Sequence, residues 1–373
     1  MKYLHIWNVT SPKSLRCVEF TERFSRLFDA NQHYIYINGT RRMEWKSSDL
    51  ENRVKVFYED QEASDKEKLR KLCDIAGQVD CIILHAMYDG QIWRLRALYK
   101  IETELNKKVI WAVWGHDVYD AYWKSHRGPG KHLLRYIQIQ QKEKLRRKII
   151  KNVTCIMALP GDYRAIKQWY DTDAKHVVFN QVSYGGNELE ILPENKNDVL
   201  KVVIGHDAYP HCRHQETMDI LKKYDDGKLE VYCPLPYSGK EPQLVSDVKQ
   251  YGKKLFGDRF HSTNDMSYSE YCRFVNSMDV ALFNHNRQMA EGNVLMYLYY
   301  GKKVFVSEEN CVGEFFHDLG TYIYSMNELG RDALFTPLGT REREENKKII
   351  EYNLGDEALF NTWNEAFDAV GRD

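Results

Sequence analysis

Short apolar runs alternate with longer amphipathic ones along most of the chain. The runs "KYLHIWN", "HYIYIN", "VKVFYE", "CIILHAM", "VIWAVWG", "VTCIMAL" and "HVVFNQVS" predict strands, and they are separated by helical patterns such as Ser14 to Phe28, Lys66 to Ala76 and Gln91 to Leu105. Strand and helix in strict alternation predict a mainly parallel, doubly wound α/β sheet. The stretch "GGNELEILPENKND", residues 185–198, has no apolar period and carries the Gly, Pro and Asn of a linker. A second alternation follows: "VLKVVIG", "LEVYCPLP", "RFHST", "DVALFNH" and "KKVFVS" as strands, with helices near Val245 to Leu255, Tyr268 to Met278 and in "EGNVLMYLYY". The pattern predicts two Rossmann-like domains, residues 1–184 and 199–373, the second including the C-terminal helices. Their mainly parallel sheets are expected to face a central cleft.

Composition narrows the partners. A net charge of −1 over 373 residues gives no basic domain for nucleic acid to bind. The eight cysteines are scattered, with no CxxC pair and no Cys/His cluster at zinc spacing, which predicts free thiols in a reducing compartment; no metal site and no cofactor are expected. The N-terminal residues lack the apolar core of a signal peptide, and no run approaches the length of a membrane span. These features predict a cytoplasmic protein, soluble or peripherally attached to a membrane. The aromatic share is 13%, with 25 Tyr; Tyr and Trp favour ligand-lining and interfacial positions, but an aromatic-rich core and surface accounts for most of them.

In open α/β sheets ligands bind beyond the carboxyl ends of the strands, where helix N-termini offer free N–H groups to anions. In the second domain, Gly205 ends a predicted strand and is followed by His206, Arg213 and His214. Glycine admits a phosphate closely, and the charged or donor groups neutralise it, although a glycine at such a turn more often serves geometry alone. "NHNRQMAEGN" places Arg287, Gln288, Glu291, Gly292 and Asn293 at another strand-to-helix turn, with Glu291 capping the helix or accepting from sugar hydroxyls. "VYCPLPYSG", with Tyr232, Pro234 and Tyr237, makes a stiff edge for a nucleotide base, or a plain turn. In the first domain, His116, Asp117 and Tyr119 follow one strand, and His85, Tyr88 and Asp89 end another. These residues predict acceptor contacts at His85, Tyr88, Asp89 and Tyr119. Asp117 first and His116 second are the candidate bases for an acceptor hydroxyl if the reaction inverts configuration, the favoured course; the equal alternative is that Asp117 caps a turn or helix and His116 packs locally. A retaining reaction needs no such base. The DxD spelling at Asp171-Thr172-Asp173 precedes a strand, on the side away from the ligand loops.

One local charge feature remains. From Lys124 to Lys151 there are ten Lys or Arg against one acid, Glu143, interleaved with leucines and isoleucines. Such a segment suits an anionic membrane surface or a lipid diphosphate, with Lys142, Lys144, Arg146 and Arg147 as the contacts, or else forms a solvated helical face.

The ordered set "ILHAMYDGQIWRL", "VIWAVWGHDVYDAY", "VVIGHDAYPHCRHQETMDIL", "VYCPLPYSG", "KKLFGDRF" and "DVALFNHNRQMAEGNVLMYLYYGKKVFV", spanning Cys81 to Val306, resembles the 4-acetamido-4,6-dideoxy-D-galactose (N-acetylfucosamine) transferases. The resemblance implies a metal-independent GT-B glycosyltransferase at the cytoplasmic face of the inner membrane. It implies a dTDP-sugar donor and a polyprenyl-diphosphate-linked glycan acceptor, in bacterial surface polysaccharide synthesis. The chain departs from that family in having "GHD" for a "GNS"-like phosphate loop and "RQMAEGN" for a "QQGIG"-like run. A sugar-nucleotide epimerase or hydrolase of the same fold, and a non-catalytic nucleotide-sugar-binding module, are the alternatives.

Overall fold

The computed structural model describes residues 1–8, 15–39, 54–87, 91–128, 133–179, 199–235, 241–263 and 266–371. Contacts divide the chain into two compact units, Met1–Gln181 with Leu359–Asp373, and Val182–Ala358. The expected linker at 185–198 lies outside the described residues.

The first unit runs β1 (Tyr3–Asn8), α1 (Leu15–Leu27), β2 (His33–Asn38), β3 (Lys55–Tyr58), α2 (Asp65–Ala76), β4 (Cys81–His85), α3 (Ile92–Thr103), β5 (Lys108–Ala112), α4 (His116–His126), α5 (Leu133–Asn152), β6 (Cys155–Ala158), α6 (Pro160–Trp169) and β7 (Lys175–Val178). Its strands form one sheet in the order β3-β2-β1-β4-β5-β6-β7, every pairing parallel. β4 is buried at all its positions because both faces of the sheet are covered. Alternate residues therefore enter different cores. Ile82 and Leu84 join Leu4, Ile6 and Trp111 on one face, while Cys81 and Ile83 join Tyr3, Ile110 and Met157 on the other.

The second unit runs β8 (Leu200–Ile204), α7 (His214–Lys222), β9 (Leu229–Pro234), α8 (Pro242–Phe256), β10 (Phe260–Thr263), α9 (Tyr268–Asn276), β11 (Val280–Phe283), α10 (Glu291–Tyr299), β12 (Lys303–Val306), α11 (Val312–Asp318), β13 (Tyr324–Ser325), α12 (Arg331–Phe335) and α13 (Thr340–Leu354). Its sheet, in the order β10-β9-β8-β11-β12-β13, is also wholly parallel.

The expectation of 199–373 as one domain needs correction at its end. The last helix, α14 (Asp356–Ala369), places Leu359, Trp363, Ala366 and Phe367 at helical spacing against Tyr3, Phe24 and Ile83 of the first unit. That apolar stripe closes the second face of the first sheet, which would otherwise be left open to water.

Candidate functional site

In each sheet, strand order reverses direction at one place, and there the carboxyl ends of neighbouring strands open a crevice. In the second unit this lies between β8 and β11. The Gly205 N–H donates to Leu282 O at 3.0 Å, so the chain leaves both strands at one level. Gly205 has φ +63°, and a Cβ there would lie 2.7 Å from Nε2 of His214. A side chain at 205 is therefore opposed twice, by backbone conformation and by the imidazole. His214, the first residue of α7, is buried, and its Nε2 has no hydrogen-bond partner among the described residues.

The loops after β8 and β11 are clamped together. Asn286 N donates to His211 O at 3.3 Å, and His211 Nδ1 lies 2.8 Å from Asn286 Oδ1. This brings His206 Nδ1 to 3.3 Å from Nε2 of the fully buried His285, with Cys212 Sγ 3.8 Å from the same His206 nitrogen. These three groups meet in space although no zinc spacing marks them along the chain, because they come from two loops that are remote in sequence. Arg287 is buried and donates from Nη1 to Gln288 O, while Gln288 Nε2 donates to Glu291 at the start of α10. Asn310, which sequence reading passed over, braces this loop by exchanging hydrogen bonds with Met289 N and O.

Burial, then the neighbouring His206, His214, Arg287 and His211, hold the His285 imidazole well below its usual pKa. Burial lowers His214 to about 4, and burial, opposed in part by backbone N–H groups of the same turn, pushes the Cys212 thiol up to about 12. The crevice therefore holds a guanidinium beside neutral imidazoles, donors that suit an anion.

Other expected donor contacts fall differently. Arg213 is engaged by both carboxylate oxygens of Glu309, at 2.7 and 2.8 Å, so its charge is already balanced. Tyr232 sits inside β9 with its hydroxyl on Glu230 and its ring stacked on His261. Pro234 ends that strand, buried, and Tyr237 lies outside the described residues. Asn293 accepts the Tyr271 hydroxyl, and Gly292 lies half-buried in the first turn of α10. Backbone strain marks the same loops. Of the four non-glycine residues with positive φ among the described residues, Arg213 and Ala290 precede α7 and α10, and Ala86 follows β4.

In the first unit the reversal lies between β1 and β4, and here the expected acceptor site must be corrected. Asp117 is buried, and its carboxylate accepts from Met87 N (2.7 Å), Trp111 Nε1 (2.8 Å) and Trp114 N (2.9 Å). A carboxylate so engaged fastens the β4 and β5 loops and is not placed to take a substrate proton. Tyr119 is likewise buried, its hydroxyl donating to Asp162. Arg146, expected on a membrane face, is 1% exposed and donates to Asp117 O and Met87 O, because the same junction needs its donors. Tyr88 and Asp89 lie outside the described residues. His116 is half-buried at the start of α4, behind the positive-φ turn of Gly115, with Nδ1 3.3 Å from Trp114 O. Asn8, Glu59, Lys68 and Arg94, none of them foreseen, form a polar group near these strand ends. Arg94 reaches both Glu59 (2.8 Å) and Asn8 (3.3 Å), and Lys68 lies 3.5 Å from Glu59.

His85, expected to touch acceptor, is instead buried in a chain of three imidazoles. Its Nε2 lies 2.9 Å from His5 Nδ1, His5 Nε2 lies 3.0 Å from His33 Nδ1, and its ring stacks on Trp7 at 3.7 Å. Burial lowers all three, His33 to about 3. Their folded pKa values lie below the unfolded one, so between pH 6.5 and the folded values only the unfolded chain binds the protons, and stability falls as pH falls. Each histidine is expected to cost up to about 1.4 kcal/mol per pH unit below about 6.5. Urea midpoints measured from pH 7 to 5 check this; a flat profile would mean that the imidazoles are charged in the folded state.

The model of the family described as 4-alpha-L-fucosyltransferase, glycosyl transferase group 56, matches residues 20–335. The chain belongs to this family. The resemblance carried by its motifs is thereby borne out, and the protein is a glycosyltransferase. Solved structures of like fold include HepE of Anabaena in complex with UDP and glucose, at 12% identity and TM-score 0.67, covering 99% of this chain and 100% of that one. A glycosyltransferase from Rickettsia africae matches at 11% identity and TM-score 0.68, covering 100% and 99%. WaaG, a glycosyltransferase involved in lipopolysaccharide biosynthesis, matches at 11% identity and TM-score 0.61, covering 100% of both chains. At such identities the likeness is one of fold, and it agrees with the two parallel-sheet domains of the GT-B class that this group 56 chain contains. Among the described residues no helix is long and apolar enough to cross a membrane.

Proposed function

We propose that this group 56 enzyme transfers an acetamido-dideoxy sugar from a dTDP-linked donor to a polyprenyl-diphosphate-linked oligosaccharide, working at the cytoplasmic face of a bacterial membrane. The observation that carries the donor reading is the crevice between β8 and β11, where buried Arg287 and the unpartnered, buried imidazole of His214 flank the Gly205 turn. Fixed donors of this kind stabilise a leaving diphosphate without a magnesium ion brought in by the nucleotide. That HepE, of like fold, was solved with UDP favours a pyrimidine nucleotide. Inversion is the favoured course, and with Asp117 committed to three N–H groups, His116 becomes the candidate base.

Thermal unfolding with dTDP, UDP, GDP or ADP, each with and without magnesium, tests the donor. A ligand at 100 times its Kd adds about 2.7 kcal/mol to the folded state. Stabilisation by dTDP alone, indifferent to magnesium, is expected; a preference for another nucleotide overturns the dTDP donor, and no response to any overturns the donor site.

The membrane reading rests on α5, whose first turns expose Leu133, Leu134 and Ile137 beside exposed Arg135, with Lys144 exposed farther along. The triple change Leu134→Ser, Arg135→Glu, Lys144→Glu is expected to lower co-sedimentation with phosphatidylserine vesicles by on the order of 10-fold or more, each lost cation weakening attraction by about 1 kcal/mol. Unchanged binding would return this helix to a solvated face.

A further inference from the structure

His206, Cys212 and His285 gather at one point of the second unit, and the donor reading of Arg287 and His214 leaves them without a task. We propose that these three side chains form a site for a zinc-class divalent ion, with three protein ligands and a fourth position left for solvent or a bound group. The inference does not depend on which nucleotide or sugar the enzyme uses.

Geometry is the first support. The ligand atoms of the three residues all lie within 4.8 Å of one another. The 3.3 Å between His206 Nδ1 and His285 Nε2 matches the edge of a tetrahedron whose Zn–N bonds are about 2.0–2.1 Å. The 3.8 Å from Cys212 Sγ to His206 Nδ1 is close to the somewhat longer edge expected where one ligand is sulfur, at about 2.3 Å from the metal. The remaining pair, Cys212 with His285, is bounded only at 4.8 Å, so enclosing an ion draws the thiol inward.

The donor set is the second support. Two imidazoles and a thiol are ligands for a borderline-soft cation, whereas magnesium and calcium take oxygen. Three protein ligands with one open position is the pattern of zinc sites that act on a bound group, while structural zinc sites are closed by four.

The third support is preorganisation. The turn Pro210–Cys212 is closed by the Cys212 N–H to Tyr209 O bond at 3.0 Å, and the His211 and Asn286 contacts hold the two loops in register. Cys212 and His285 are buried, and half-buried His206 supplies the way in from solvent. Binding is balanced in charge: the Cys212 thiol loses its proton to the buffer, the thiolate sulfur donates its electron pair to the ion, and both imidazoles coordinate in neutral form. One proton per ion is therefore released.

The competing arrangement is a plain imidazole pair, His285 Nε2–H donating to His206 Nδ1, with Cys212 as a small apolar filler. Metal content and cobalt spectroscopy separate the two. Full-length protein stripped with a chelator is dialysed against limiting zinc and its metal content measured per chain. A parallel sample is titrated with cobalt(II), with no nucleotide in either. One zinc per chain is expected, along with a thiolate-to-cobalt charge-transfer band. Cys212→Ser should abolish that band. His206→Gln should weaken cobalt binding by more than about 100-fold, beyond the loss that outer-shell changes produce. Loss of zinc on dialysis, or cobalt binding with no thiolate band and unchanged in both variants, would overturn the site in favour of the imidazole pair. Circular dichroism establishes that the variants are folded. Should Cys212→Ser fail to fold, the half-buried His206→Gln decides the matter alone.

Discussion

Replacing Asp117 by Ala is expected to destabilise the first unit by about 3–5 kcal/mol, since it strands two buried N–H donors and one part-buried one whose acceptor is gone, each buried one costing about 1–3 kcal/mol. The donors are Met87 N, Trp111 Nε1 and Trp114 N, so the loss is felt at the ends of both β4 and β5. Arg146 donates to the main-chain carbonyls of Asp117 and Met87, which the substitution keeps, so the loss is that of the stranded N–H groups. Against a typical total of about 5–15 kcal/mol, this brings the fold close to its limit. Urea unfolding followed by tryptophan fluorescence reads the effect, with Trp111 itself a reporter. His116→Ala is the contrasting case. Its midpoint should stay near that of the parent while transfer falls by about 100-fold, as for a lost general base. If Asp117→Asn instead kept its midpoint and lost turnover, the carboxylate would return to the catalytic role and the structural account of it would fail.

Arg287→Ala is expected to weaken dTDP binding by about 100-fold, the scale of charge-assisted hydrogen bonds worth about 1.5–3 kcal/mol. Thymidine, lacking the diphosphate, should bind both proteins alike. The comparison matters because Arg287 also donates to Gln288 O, and Gln288 in turn reaches Glu291 at the start of α10. Collapse of that loop would weaken thymidine and dTDP together. Arg287→Lys keeps the charge but not the planar fork, and should restore part of the dTDP affinity. Equal losses for nucleoside and nucleotide would remove Arg287 from the diphosphate site.

Both variants sit where reading along the chain and reading in space part company. Asp117 looks like a base from its position at a strand end, and position alone cannot say what the carboxylate touches. Met87 is 30 residues away, and only the pairing of β4 with β5 brings it to the carboxylate. Tyr119, His85 and Arg146 repeat the lesson: two follow or end strands and one lies within a basic helix, and each has a partner from another segment that local pattern hides. Unforeseen Asn310 and Glu59 leave no mark in sequence, because a bracing amide or a buried carboxylate has no period and no motif.

What the sequence by itself determined is the part of the molecule governed by local periodicity. Apolar runs buried on both faces dictate parallel strands, amphipathic runs between them dictate covering helices, and the alternation yields two domains with ligand loops at the strand ends. Gly205 belongs to this part, since a tight exit from β8 demands positive φ. The motif order in "VVIGHDAYPHCRHQETMDIL" and its companions reached the family for the same reason, being a local record of those loops. Tertiary structure alone decided the rest. It sent α14 back to the first sheet, because an apolar stripe goes to whichever face lacks cover, and it joined His206 and Cys212 to His285 across two loops. Periodicity fixes which way a side chain points; only the folded chain settles what it meets there.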